Sequence, residues 1–412
     1  MRLCRGGWGR AGMAALLGVV LTAQCGCLGP MGVRVTRSRY NEAIQTTNNE
    51  ELLLNLVRLR YNESPGFLPI TGLNAQFELS ATAEFTGGKD RGDPTRLGVG
   101  SLGFADRPTL SFAPQRPPEL TKALLVHINL DTLYLFARQG WDLDRLMRLM
   151  VRNINGVENA GNAGGPPPLR APEYAAFRTL AGLFDRLQRE HGLVITSEKR
   201  LADVPNAVPV DAVGAPDLLA IQRAGLGVRP RGADKGYVLT QTESVRVVRL
   251  APWAVQSPEF LEIARILRLQ AASETYDLDE APEGQLRPGE ALAAGNKVTV
   301  TTRSILEVMS LMSQAVCVPE DHVRAGVATV TLNPDGTRFD WGEVLGGVFH
   351  VCVSKMKPHG AWTAVHYRGY WYYIEDADVS SKNTISLFNE LFRLQRIGAA
   401  EGQPVLTLPV GK

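Results

Sequence analysis

The sequence lacks the charge pattern of a nucleic-acid-binding protein. Its 412 residues include 44 Lys and Arg against 42 Asp and Glu, and the basic residues form no run or stripe. Residues 1–27 hold Arg2, Arg5 and Arg10 and no acidic residue, so the rest of the chain has 41 basic and 42 acidic residues. Because phosphate backbones are recognised by clustered Lys and Arg, we expect no nucleic-acid partner.

The N-terminus also lacks an apolar run long enough to cross a bilayer, which takes about 20 residues. Residues 13–23 are apolar and uncharged, but they number only 11. They follow the three arginines and precede small residues. A positive start, a short apolar core and small residues before a cut are typical of a secretory signal. We therefore predict that residues 1–27 are a signal peptide.

Cys27 is the predicted lipidation site. Gly26 and Cys25 before it are small, and the segment resembles the bacterial lipobox, although Gln24 stands where an aliphatic residue is usual. Cys25 is the alternative site, and a secretory signal without lipid is the alternative to lipidation. By resemblance to enterobacterial lipoproteins, Leu28 after the cysteine implies the outer membrane, facing the periplasm. Such proteins carry two or three acyl chains, palmitate among them, and more than one chain is needed for stable anchoring.

Cysteine is scarce, and its distribution agrees with export. Of five cysteines, Cys4 and Cys25 lie in the predicted signal and Cys27 would carry lipid, which leaves Cys317 and Cys352. In an oxidising envelope these two are a candidate disulfide. The bond would close a loop of about 36 residues and stabilise the fold by roughly 3–4 kcal/mol. Two buried free thiols are the equal alternative.

No sequence motif identifies a catalytic or metal centre. The chain has no Cys-x-x-Cys, His-Glu-x-x-His, P-loop, nucleophile elbow or EF-hand pattern. We therefore predict no catalytic residue, no metal ligand and no cofactor. Glu375, Asp376 and Asp378 form an acidic cluster that is expected to end a strand and cap the next helix. The sequence favours a protein that is not an enzyme.

The clearest pattern in the chain is strict alternation of apolar and polar residues over 73–86. A period of two predicts a strand with one apolar and one polar face. A polar, glycine-rich stretch at 87–94 follows, and a second extended stretch covers 97–112. Together these segments predict a long amphipathic β-hairpin.

The order of the predicted elements indicates an α+β protein with two domains. Residues 28–271 are predicted to combine several helices, the first at 36–61, with the long hairpin. Residues 272–296 are acidic and rich in Pro and Gly, which predicts a linker. Residues 297–412 alternate short strands and helices, and predict a compact α/β domain with a mostly antiparallel sheet.

Aromatic residues cluster in one predicted hairpin at 361–375. Two strands flank Arg368 and Gly369, a two-residue turn in which Gly supplies the unusual backbone angle. The candidate binding face consists of Trp362, Tyr370, Trp371, Tyr372 and Tyr373. Alternation must send about half of them to each face. One face is expected to be core, and the other either binds a glycan or protein partner or lies under a helix.

Three stretches together resemble a family of uncharacterised bacterial lipoproteins with no assigned activity. They are residues 38–61 (SRYNEAIQTTNNEELLLNLVRLRY), residues 125–160, and residues 365–395 with the ending PVLTLPVG. The resemblance implies an exported lipoprotein. It implies no ligand, partner or catalytic residue.

These features predict a lipid-anchored envelope protein with a structural, assembly or binding role. A lipid-facing barrel strand takes about 9–11 alternating residues, and residues 73–86 exceed that length. One hairpin would leave its edges unpaired in a membrane, so several copies in a homo-oligomer would have to share a barrel. The alternatives are an enzyme acting on cell-wall polymer through carboxylates near 375–378, and a glycan-binding module on hairpin 361–375.

Overall fold

A computed structural model describes most of the chain from residue 28 onward. The described ranges are 28–67, 70–82, 101–112, 122–208, 221–230, 237–281, 295–397 and 406–409. The predicted signal peptide, with Cys25 and Cys27, and residues 282–294 of the predicted linker lie outside these ranges. Within them, no helix combines the length and apolar character needed to cross a membrane.

Helix α1 (Leu28–Arg60) opens the described chain. Its 33 residues span about 50 Å at 1.5 Å per residue. Leu52, Leu53, Leu56 and Val57 repeat at helical spacing and are buried in the core. The helix predicted over 36–61 is therefore confirmed, but it begins earlier than the sequence pattern indicated.

Strands β1 (Ile70–Thr82) and β2 (Ser101–Phe112) pair antiparallel, as predicted for the two arms of the long hairpin, whose turn at 87–94 lies outside the described residues. The short strand β13 (Leu406–Pro409) pairs with the base of β2, with Leu406 opposite Phe112. These three strands form a sheet of their own, in the order β1-β2-β13.

A seven-stranded sheet forms the centre of the fold. Its strands are β3 (Val151–Ile154), β4 (Val157–Glu158), β5 (Leu193–Val208), β6 (Leu226–Pro230), β7 (Tyr237–Leu250), β8 (Thr275–Glu280) and β9 (Lys297–Thr302). The order is β4-β3-β9-β8-β7-β5, and β6 pairs with β7. Strands β8 and β9 are parallel, and the other pairs are antiparallel.

Helices pack around this sheet and bury a continuous apolar core. They are α2 (Leu130–Arg138), α3 (Leu143–Met150), α4 (Ala175–Arg189), α5 (Pro258–Leu267), α6 (Ile305–Ser313), α7 (Glu320–Arg324), α8 (Gly342–Leu345) and α9 (Val379–Ile397). Asn129, Ser257 and Ser304 cap α2, α5 and α6, because each side-chain oxygen accepts a backbone N–H of the first turn.

A third sheet carries the aromatic hairpin. Its strands are β10 (Cys352–Ser354), β11 (Ala361–Tyr367) and β12 (Tyr370–Glu375), in the antiparallel order β10-β12-β11. Arg368 and Gly369 connect β11 to β12 with φ of 47° and 82°. Positive φ at both positions defines a type I′ turn, so the predicted hairpin and its turn are confirmed.

The prediction of two domains separated by a linker at 272–296 differs from the structure. Strand β8 falls within that range, and β9 lies between β3 and β8 in the central sheet. The predicted segments 28–271 and 297–412 therefore share one sheet. The coarser expectation, a mixed α+β fold, is confirmed.

The acidic character of β8 explains this error. Tyr276 and Leu278 are buried, whereas Asp277 pairs with Arg200 at 2.6 Å across the sheet. Asp277 and Asp279, two of the carboxylates that suggested a solvated linker, thus lie on the polar face of a strand. Alternation over so few residues is a weak signal, because strand pairing between distant segments decides it.

Candidate functional site

The register of β1 and β2 produces two contrasting faces. Directly opposite residues of an antiparallel pair lie on the same face. The pairs on the apolar face are Leu73 with Leu110, Ala75 with Pro108, Phe77 with Asp106, Leu79 with Phe104, and Ala81 with Leu102. The pairs on the polar face are Asn74 with Thr109, Gln76 with Arg107, Glu78 with Ala105, Ser80 with Gly103, and Thr82 with Ser101. Asp106 is the charged exception on the apolar face.

Both outer edges of this hairpin have backbone groups without a strand partner. β13 pairs with β2 only from Thr109 to Phe112, and β1 has no second neighbour among the described strands. β1 contains no Lys, Arg or Pro, the residues that commonly protect an edge, whereas β2 contains Arg107 and Pro108. A long unprotected edge is a template for pairing with another strand.

A groove of about 1010 Å³ lies between α1 and the aromatic hairpin. The α1 wall consists of Thr47, Glu50, Glu51, Leu54, Asn55 and Arg58. The opposite wall consists of residues 360–366, with Lys357, Pro358 and Trp371, and Gly66 and Phe67 complete the lining. Tyr61, directly after α1, packs on Tyr367 at the end of β11, so the C-terminal ends of the helix and the strand lie together.

A buried hydrogen-bond network fixes α1 against the aromatic hairpin. The Tyr61 hydroxyl lies 2.6 Å from the Tyr372 hydroxyl and 2.6 Å from Nδ1 of His322. Arg368 lies over the Tyr61 ring at 5.0 Å and pairs with Glu63 at 2.8 Å. Burial, and then the bond to Tyr61, raises the pKa of Tyr372. The Tyr372 phenol therefore stays protonated at neutral pH, and the network holds the two walls of the groove together.

Two of the predicted binding residues belong to the interior face of the hairpin. Tyr372 is completely buried, and the Tyr370 hydroxyl donates to Oδ2 of Asp321 at 2.7 Å. The prediction of a binding role is wrong for Tyr372, because alternation along β12 turns it toward α1. Tyr373 is half-buried on the opposite face, beside Cys352.

Trp362 and Trp371 are the predicted aromatic residues that line the groove. Nζ of Lys382 lies 5.9 Å from the Trp362 ring. Nζ of Lys357 lies 5.3 Å from the Trp371 ring, and the His366 ring packs 5.2 Å from the same indole. A cation over an aromatic ring is an attractive contact that covers one face of the ring. Each indole is therefore partly covered by this chain's own side chains.

Cys317 and Cys352 are free thiols, the alternative to the candidate disulfide. The imidazole of His350 lies between them, with Nε2 at 3.3 Å from Sγ of Cys317 and Nδ1 at 3.6 Å from Sγ of Cys352. Burial raises the pKa of both thiols, to about 11 for Cys352. Because the thiolate is the reactive form, both sulfurs are expected to react slowly at neutral pH.

The acidic cluster after β12 serves the start of α9. Asp378 accepts hydrogen bonds from the Ser381 N–H at 2.9 Å and the Ser381 hydroxyl at 2.6 Å. Asp376 pairs with Lys382 at 2.7 Å. This is the capping role expected from the sequence. In the part of the chain that the structure describes, no group of three or more His, Cys, Asp or Glu residues is arranged to hold a metal ion.

Sequence reasoning missed the α1 wall of the groove and the hydroxyl of Thr363. Glu50, Leu54 and Arg58 repeat every four residues and are half-buried, on a stripe beside the buried leucines. Thr363 on β11 is buried, and its Oγ1 has no hydrogen-bond partner among the described residues. The four-residue repeat can be recognised in the sequence, but the sequence does not indicate that β11 lies opposite it.

Comparison of the chain with protein-family models, with curated proteins and with solved structures finds no match. The resemblance to bacterial lipoproteins therefore stays a prediction. The long hairpin and the groove are the two structural features that bear on function.

Proposed function

We propose that this chain is a lipid-anchored protein of the bacterial envelope that assembles with copies of itself through the long β1–β2 hairpin. The observation that carries the proposal is an amphipathic hairpin in which, among the described strands, the outer edge of β1 and the outer edge of β2 before Thr109 have no partner. The lipid on Cys27 would hold each copy at the outer membrane, facing the periplasm. The hairpins of several copies would close a shared barrel.

The length and alternation of the strands support this assembly. β1 has 13 residues and β2 has 12, and a membrane-spanning barrel strand takes about 9–11. The apolar positions of the hairpin would meet lipid, and the polar positions would line the interior. Asp106 on the apolar face would have to lie near the headgroups or against a neighbouring copy, because a charge within lipid is costly.

The two outer edges of the hairpin determine how the copies would be arranged in the assembly. In a bilayer, every backbone N–H and C=O needs a partner, so an open hairpin is excluded. β1 of one copy would pair with the free part of β2 of the next copy. Such head-to-tail contacts use two different edges and generate a closed ring when the rotation between copies closes.

Lipid attachment is tested by labelling cells with radioactive palmitate. Cys27→Ser is expected to abolish labelling, and Cys25→Ser is the matched control that retains it. The reverse pattern would assign the lipid to Cys25. Labelling that survives both substitutions would contradict the anchor.

Assembly is tested by a pair of neighbouring substitutions in β1. Leu79→Lys places a charge on the apolar face, where it is expected to cost about 2–4 kcal/mol in the middle of a bilayer. Ser80→Lys places the same charge on the polar face. We expect Leu79→Lys to shift detergent-extracted protein toward single chains on size-exclusion chromatography, and Ser80→Lys to leave the assembly intact. Equal behaviour of the two variants would contradict a lipid-facing hairpin.

The enzyme and glycan-binding alternatives have less support. Asp376 and Asp378 are bonded to residues of α9, and the two groove indoles are partly covered by lysines. No observation favours these alternatives over assembly.

A further inference from the structure

Strand β11 is an edge strand without the usual protection. In the order β10-β12-β11 it has a partner on one side only among the described strands. Its sequence, AWTAVHY, contains no Lys, Arg or Pro. The edge strand β5 of the central sheet is different, because Lys199, Arg200 and Pro205 interrupt its edge. The open side of β11 is thus suited to accept another strand.

The turn between β11 and β12 determines which backbone groups point outward. In a two-residue type I′ hairpin, the closing pair exchanges both backbone hydrogen bonds. That pair is Tyr367 and Tyr370. Since hydrogen-bonded pairs alternate along the ladder, Val365 points its N–H toward β12, whereas Ala364 and His366 point theirs away. His366 is exposed and Ala364 half-exposed, so these donors lie at an accessible edge.

The open edge of β11 forms one wall of the groove described above. All residues from 360 to 366 line the groove, both the odd-numbered and the even-numbered ones, whose side chains lie on opposite faces of the sheet. This is expected when the backbone edge itself forms the wall. The opposite wall is α1, through Leu54 and its neighbours. A space bounded by an edge strand and a helix is the arrangement used for strand addition, in which main-chain hydrogen bonds supply affinity.

A buried, unsatisfied hydroxyl lies in the same wall. Thr363 is only 4% exposed and its Oγ1 has no partner in the described part of the chain. Most buried polar atoms are hydrogen-bonded, so an exception needs a physical reason. The Thr363 oxygen has almost no accessible surface, however, and its residue pairs with the buried Ile374, so this hydroxyl belongs to the interior of the hairpin and is not counted as a contact for a segment at the β11 edge.

The charges of the groove favour a polypeptide that carries a Lys or Arg. The α1 wall carries Glu50 and Glu51, with Arg58 about two turns further along the helix, and Lys357 belongs to the opposite wall. A glycan would stack on open indole faces, but Lys357 and Lys382 cover part of Trp371 and Trp362. An extended peptide needs no aromatic platform, because its own backbone makes the principal contacts.

We propose that the β11 edge binds an extended segment of another protein as an added strand, with Ala364 and His366 as backbone partners and a Lys or Arg of the segment facing Glu50. This inference goes beyond the proposed assembly and does not depend on it. The hairpin and the groove use different strands, so either idea stands if the other fails.

The test begins with a phage-displayed library of peptides of about eight residues, selected against the full mature protein in detergent. The affinity of synthetic copies is then measured by fluorescence anisotropy. Ala364→Pro removes one outward N–H and leaves the β11–β12 ladder intact, since the N–H of Ala364 faces the groove and not β12. We expect about a 10-fold or greater loss of affinity, because a buried carbonyl of the peptide loses its donor. Ala364→Ser is the matched control, with affinity within about twofold of wild type.

Two further measurements protect the result against misfolding of the proline variant. Its thermal midpoint must match that of wild type. In addition, a peptide N-methylated at alternate residues should bind wild-type protein weakly, and the bound unmodified peptide should slow hydrogen exchange at Ala364 and His366. Three outcomes would each overturn the proposal. They are failure to select any peptide, an unchanged peptide affinity in Ala364→Pro, and competition by soluble peptidoglycan fragments with unchanged hydrogen exchange at β11.

Discussion

Replacement of Arg303 by Met is expected to leave the protein as stable as wild type or to stabilise it. The Arg303 guanidinium is completely buried, and one of its groups donates to the Asn159 carbonyl. Nε and Nη1 have no partner among the described residues. Burial lowers the pKa of Arg303 to about 10, against a smaller opposing effect of Glu307. The charge is thus held in the core without a carboxylate bonded to it.

The magnitude follows from that pKa. That lowering of the pKa to about 10 corresponds to a penalty of about 3 kcal/mol for the charged form at neutral pH. Met removes this penalty and fills a similar length, but it leaves the Asn159 carbonyl unbonded, which costs about 1–3 kcal/mol. The expected net change is therefore between about zero and 2 kcal/mol of stabilisation. Arg303→Ala is the control, because it also leaves a cavity and should be about 2–5 kcal/mol less stable than the Met variant.

Urea unfolding of residues 28–412 at neutral pH, followed by far-UV circular dichroism, measures both variants. A Met variant that is more than about 2 kcal/mol less stable than wild type would refute the reasoning. In that case the guanidinium would have bonding partners, such as enclosed water, that repay its desolvation.

Three further outcomes are expected from the described contacts. Cys317 and Cys352 should react slowly with iodoacetamide in the folded protein and rapidly in urea without reductant. If both cysteines stay unreactive in urea, they form a disulfide and the free-thiol assignment is wrong. Ser304→Ala should cost about 1 kcal/mol in urea unfolding, because it removes the cap of α6, and no change would contradict the capping box. The unfolded Tyr372 phenol ionises near pH 10 while the folded one, with its raised pKa, stays protonated. Stability should therefore fall as pH rises above about 10, and less steeply in Tyr372→Phe.

Local sequence rules predicted the two hairpins well, and the reason is the same in both. Turn chemistry at Arg368-Gly369 and alternation over 73–86 are properties of neighbouring residues, so they can be recognised without knowledge of the fold. Asn48 with Glu51 three residues later matches the sequence pattern of a helix start, yet both lie inside α1, which begins at Leu28. A capping pattern fits a helix interior equally well when the chain before it is also helical.

Features that depend on distant segments could not be predicted. The burial of Tyr372 depends on Tyr61, which is more than 300 residues away in the chain. The parallel pairing of β8 with β9 joins two segments on either side of the predicted linker. The groove likewise exists only because α1 packs beside β11. Such contacts are fixed by tertiary packing, which single-sequence patterns do not encode.

The native mass of the lipidated protein, extracted in a mild detergent and measured by light scattering, tests the central claim most directly. We predict a single large species that contains many copies of the chain and that conducts ions after insertion in a planar bilayer. A mass of one or two chains would contradict the shared barrel.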